Sequence, residues 1–241
     1  MPLSKRPVYV LFIFTAFRLI FISMPANAQI IHTLSLQPEI SIDYKVNEKL
    51  SLNFNNYWLS DNIERLYPEG IFYSSSESQH TITTIYMLNN NFDLGAAYEL
   101  KINHNKFVNN DYTNRSIEFV NFSITIEQLS ISQRLQFEQH YKNTIVFRNR
   151  YRLALKYPIY KNSNGINKLN AVVSEELLWS LNTETKAKLN QRFIIALDYQ
   201  WNRLISSEIG LQLRTRNISE SNSSNIIIGL ITIGIDLHEL F

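Results

Sequence analysis

Phe147-Arg148-Asn149-Arg150-Tyr151-Arg152-Leu153-Ala154-Leu155-Lys156-Tyr157 is written in twos. Phe147, Tyr151, Leu153, Leu155 and Tyr157 fall on one parity; Arg148, Arg150, Arg152 and Lys156 fall on the other. Residues two apart share a face of a β-strand, so the stretch predicts a strand with one apolar and one cationic side. An arginine facing lipid at mid-membrane costs about 2–4 kcal/mol, so in a membrane barrel these three must point into the lumen.

The alternation continues in both directions. It predicts eleven strands, near 33–45, 49–58, 80–88, 92–102, 115–126, 129–140, 145–157, 169–178, 190–201, 205–216 and 225–237. Asn47-Glu48, Asn89-Asn90-Asn91 and Asn202-Arg203 read as tight turns, with asparagine tolerating the left-handed backbone in place of scarce glycine. Segments 59–79, 103–114, 179–189 and 217–224 read as long polar loops. Short turns at one rim and long loops at the other are the outer-membrane arrangement, so the expected fold is all-β, an antiparallel transmembrane β-barrel. Bacterial single-chain barrels close with an even count, which predicts about twelve strands, the extra one at Ile71-Phe72-Tyr73, with ten as the alternative.

Residues 1–28 carry an export pattern: Lys5 and Arg6, the apolar run Val8–Phe17, and Ala26-Asn27-Ala28 as a small-x-small cleavage site. The mature domain is expected to be 29–241. Removing 1–28 takes out Lys5, Arg6 and Arg18 and no acid, so a formal net charge of +2 becomes −1. That balance gives no electrostatic case for nucleic acid as a partner. There is no cysteine, which excludes disulfides and thiolate metal sites. After residue 28 the longest apolar run, Ile226–Ile235, is about half of what a membrane helix needs, so any membrane span must be made of strands closed into a barrel.

The polar parities supply candidate lumen residues: Arg134, Glu138 and His140 on the sixth strand, Arg148, Arg150 and Arg152 on the seventh, Arg192 and Asp198 on the ninth, Glu208 and Arg214 on the tenth. Two readings of this interior stay open. Arginines and carboxylates pair across a narrow barrel and plug it, or an arginine ladder attracts an anionic solute. A soluble sandwich or lipocalin-like barrel would also alternate, with its apolar side turned in. The direction of the apolar face discriminates the two architectures. Strand lengths of ten to thirteen residues favour the membrane, because soluble strands usually run about five or six.

Phe147-Arg148-Asn149-Arg150-Tyr151-Arg152-Leu153, closing at Pro158, resembles the arginine-repeat strand of an uncharacterised exported family, domain of unknown function 2490. Leu189-Asn190-Gln191-Arg192, leading to Tyr199, is similar to the family's Asn-Gln-Arg strand opening. The resemblance implies an outer-membrane barrel and brings no catalytic residue or ligand.

Catalysis needs a nucleophile beside an oriented base. No serine sits in a nucleophile elbow, and of the histidines only His140, beside Glu138, and His104, next to a loop, are candidates. The chain is therefore expected not to be an enzyme. Asp61, Glu64 and Glu69 are ordinary loop acids, no metal-ligand spacing is present, and no cofactor is expected. Tyr44, Tyr57, Trp58, Tyr86, Tyr98, Tyr141, Tyr157, Tyr199 and Trp201 fall mostly near strand ends, where amphipathic rings favour headgroups. Phe241 ends an alternating strand, resembling the signal read by barrel-assembly machinery. The expected role is structural or passive-permeability, porin-like. The alternatives are surface-loop binding or adhesion and lipid modification. Expected partners are outer-membrane lipid, the assembly machinery, and a small solute or surface ligand of unknown identity.

Overall fold

A computed structural model of the protein describes residues 33–62, 75–104, 111–141, 145–161, 167–182, 187–218 and 224–237. They form eleven strands: β1 (Thr33–Lys45), β2 (Leu50–Asn62), β3 (Ser75–Asn89), β4 (Phe92–His104), β5 (Asp111–Ile126), β6 (Leu129–Tyr141), β7 (Ile145–Lys161), β8 (Asn167–Asn182), β9 (Lys188–Gln200), β10 (Ile205–Arg216) and β11 (Ser224–Asp236). Each matches a strand expected from the alternation. Several run further than the sequence suggested, so that the polar segment 59–79 contributes the ends of β2 and β3, and Asp61 lies in a strand. The export segment 1–28 and Ile71-Phe72-Tyr73 lie outside the described residues.

Consecutive strands pair antiparallel throughout, and the sheet closes where β1 meets β11. That seam is parallel, running from Thr33↔Ile226 to Asp43↔Asp236. The described residues close with eleven strands, near the expected twelve. What a barrel requires is that no edge stay unpaired, and a parallel ladder satisfies backbone donors and acceptors as an antiparallel one does. An odd count simply makes the first and last strands run the same way. We call the end bearing connections 63–74, 105–110, 142–144, 183–187 and 217–223 the loop rim, and the opposite end the turn rim.

Three turn-rim connections use one device. Asn47 Oδ1 accepts from the backbone N–H groups of Lys49 and Leu50, both at 2.9 Å. Asn89 Oδ1 accepts from Asn91 and Phe92, and Asn202 Oδ1 from Leu204 and Ile205. The asparagines therefore act as side-chain acceptors that close the turn, not through left-handed backbone. Among the described non-glycine residues, positive φ occurs at Glu127 (58°) and Asn217 (54°).

The apolar parity faces outward. Ile82, Leu135 and Ile209 are 59%, 64% and 65% exposed, and the exposed apolar set continues over all eleven strands. The charged parity faces inward, where Glu138 and Glu99 are 0% and 3% exposed. This inversion excludes the soluble sandwich and lipocalin-like arrangements, which bury the apolar side. One part of the interior departs from the expected mixed charge: Leu59, Ile228 and Leu230 form a buried apolar cluster with Tyr57, Ile194 and Ile226 against it. The run Ile226–Ile235 is continuous because β11 is apolar on both faces, one in this cluster and one on the outer wall.

Tyr57 departs from the expected placement near a headgroup level. It faces the lumen and donates from its hydroxyl to Glu77 Oε1 at 2.9 Å, so it is not a headgroup anchor. Gly95 lets the Phe119 ring lie over it, with no room for a Cβ, and that ring carries the Arg134 guanidinium 4.5 Å from its centroid.

Candidate functional site

Six consecutive strands each contribute one charged side chain to a belt across the lumen, with alternating sign. Glu99 of β4 pairs with Arg115 of β5 at 2.9 Å. Arg115 also lies 3.8 Å from Glu138 of β6, which holds Arg150 of β7 at 2.6 Å. Arg150 lies 3.4 Å from Glu176 of β8, and Glu176 pairs with Arg192 of β9 at 3.1 Å. Each side chain points inward because each sits on the polar parity of its strand. Each finds an opposite charge because registers such as Glu99↔Arg115 and Glu176↔Arg192 set the residues side by side.

Glu138 is the hub. Beyond the two belt arginines it accepts from His140 Nε2 at 2.7 Å and Gln136 Nε2 at 2.8 Å, and Arg148 lies at 3.7 Å. A carboxylate with no solvent exposure would be prohibitive alone; here several cations and donors replace water. Among the described residues no hydroxyl is hydrogen-bonded to His140. Among the described residues, no cluster of three or more His, Asp or Glu has metal-holding geometry.

On the loop-rim side of the belt lies a cavity of about 720 Å³, whose lining reaches Asn103, Thr113, Val146 and Arg216 near the strand ends. Its acids are already engaged: Glu77 with Lys101, and Glu99 with Arg115. Arg214 and Arg216 line it without a carboxylate partner among the described residues. On the turn-rim side lies a second cavity of about 410 Å³, lined by Glu39, Asp43, Asp198 and Glu208 with Arg152. Lys156 pairs with Asp198 at 2.5 Å there. Gln37 and Gln212 border both cavities and mark the waist between them. Among the described residues the lumen thus holds a chamber that is cationic toward the loop rim and one that is acidic toward the turn rim.

The ten residues singled out in the sequence all lie on the inward face by register. His140, Arg148, Arg150, Arg192 and Arg214 line the loop-rim chamber, and Arg152, Asp198 and Glu208 the turn-rim chamber. Glu138 lies in the belt. Arg134 stands apart, its Nε donating to Asn121 Oδ1 at 2.7 Å. His104 points outward instead, stacked on Trp58 at 5.1 Å and bonded to Ser78. Sequence reasoning missed Glu99, Arg115 and Glu176, half of the belt. Parity could have found them: Glu176 alternates with Leu177 and Trp179, which its neighbour Glu175 joins on the outer face.

Residues 38–225 match the sequence profile of a family described as protein of unknown function (DUF2490). Among solved structures the chain is similar to LpxR from Salmonella typhimurium at 10% identity and a TM-score of 0.49, covering 77% of this chain and 83% of that one. Among curated proteins, no sequence matches.

Proposed function

The chain belongs to the family described as protein of unknown function (DUF2490), and on that premise we propose that it is an integral outer-membrane barrel of structural or passive-permeability type. The observation that carries this reading is the inverted polarity: large apolar side chains cover the outer wall while charges fill the lumen. In water such a surface would be an aggregation hazard, whereas in lipid it is solvated. A 13-residue strand tilted by about 40° rises about 33 Å, enough to span an apolar band of about 25 Å. Outward aromatic rings near both ends of the strands, Tyr44, Phe92, Tyr157 and Trp201 toward the turns and Trp58, Tyr112, Tyr141 and Trp179 toward the loops, suit two headgroup levels.

The export pattern of residues 1–28 supports delivery by a cleaved signal, with membrane lipid as the standing partner. The turn rim faces the periplasm in this reading. In this reading the barrel works without a cofactor and is not an enzyme; His140 pairs with Glu138 inside an arginine network.

Gel migration of the membrane-fraction protein, unboiled against boiled, tests the reading. A faster unboiled band in the outer-membrane fraction is the expected result. Equal migration of a protein recovered from the soluble periplasm would sink it.

A further inference from the structure

The alternating belt breaks at β10. Continuing the sequence Glu99, Arg115, Glu138, Arg150, Glu176, Arg192, the next strand should offer an acid beside Arg192. Instead the register places Arg214 there, cation against cation. Like charges set directly opposite each other in a sheet repel. Among the described residues Arg214 Nη2 donates to Gln212 Oε1 at 3.1 Å, and its Nε is buried without a hydrogen-bond partner. Two residues further along β10, Arg216 lines the same chamber and likewise has no carboxylate partner among the described residues. Arg148 is held only at the margin of Glu138, at 3.7 Å, while its Nε bonds Ser180.

We infer that the loop-rim chamber is a binding site for a small polyvalent oxyanion, a phosphorylated or polycarboxylate solute that fills the missing acidic place beside Arg192 and Arg214. The chemistry fits in three respects. Guanidinium groups present paired N–H donors matched to phosphate or carboxylate oxygens. The volume of about 720 Å³ exceeds that of a bare inorganic ion and suits a small organic solute. The chamber's acids are already bound to lysine or arginine, so an entering anion meets uncompensated positive charge. Past the Gln37–Gln212 waist it meets Glu39, Asp43 and Glu208, so the arrangement holds an anion and resists its passage.

The inference rests on the reading of the chain as a membrane-spanning barrel, because only then does this chamber face a single aqueous side. The experiment titrates the folded full-length mature protein, in phosphatidylcholine vesicles, with inorganic pyrophosphate at constant ionic strength by calorimetry. Dihexanoyl phosphatidic acid is titrated in parallel. Saturable pyrophosphate binding, weakened about tenfold or more by Arg214→Gln and unchanged by Lys49→Gln at the opposite rim, is expected. Arg216→Gln, at the exposed end of β10, gives the same direction if Arg214→Gln does not fold. Binding of the lipid phosphate alone, insensitive to both arginine substitutions, would move the site to the outer wall and overturn the inference. Absence of any binding by protein that still shows the faster unboiled band would overturn it while leaving the barrel reading intact. A preparation lacking that band would remove both.

Discussion

Glu138 is the residue on which most of the interior charge converges. Glu138→Gln keeps the volume and one acceptor but leaves Arg115, Arg148 and Arg150 facing one another across the lumen. Losing one partner of a buried ion network costs several kcal/mol; since Arg148 and Arg150 border a chamber, about 3 kcal/mol is expected. The urea midpoint for loss of the heat-modifiable form measures it, and an unchanged midpoint would mean that water already screens the hub. Glu118 poses the opposite case. It is exposed on the outer wall between Ala96 and Phe137, on the apolar side of β5. In lipid an outward carboxylate is a cost, so Glu118→Leu is expected to stabilise the bilayer-inserted barrel by about 1 kcal/mol. A lower midpoint in vesicles would argue that this carboxylate has a partner of its own.

At the scale of the element, the turn-rim connections depend on an acceptor rather than on backbone freedom. Asn47→Gly removes the oxygen that ties Lys49 and Leu50 and is expected to cost about 1 kcal/mol, whereas Asn47→Asp keeps it and should hold stability near the parent. Equal loss in both variants, measured by the same urea midpoint, would show that backbone conformation matters after all. The strands differ in how much of their environment their sequence reveals. β7 shows its two faces plainly, since arginines and aromatics alternate. β11 shows them least, because its inner face packs into the Leu59–Ile228–Leu230 cluster and its outer face is apolar as well.

For the whole molecule, the two chambers of opposite sign bear on conduction. An ion of either sign that is favoured in one chamber is disfavoured in the other, so conductance through the intact lumen should be small. Removing two turn-rim charges with Asp43→Asn and Glu208→Gln takes away part of the anion barrier. Planar-bilayer recordings across a potassium chloride gradient should then show the reversal potential shifting toward chloride. A shift toward potassium would contradict the assignment of that chamber as the anion barrier. Closure is also a property of the whole. Eleven strands were legible as eleven segments of alternation, and the even-count rule suggested a twelfth; the parallel β1–β11 seam makes it unnecessary for closure.

By itself the sequence determined the local facts: which segments are strands, which residues share a face, and that Arg148, Arg150 and Arg152 lie together on one side of a strand. These follow from the period of two, a property of neighbours in the chain. Which side faces out, which strands meet at the seam, and that Glu99, Arg115, Glu138, Arg150, Glu176 and Arg192 form one alternating belt with Arg214 as its break were decided only by tertiary structure. The physical reason is that alternation is unchanged when the sheet is turned inside out. Charge pairing between strands depends instead on register and closure, which bring together residues far apart in the chain.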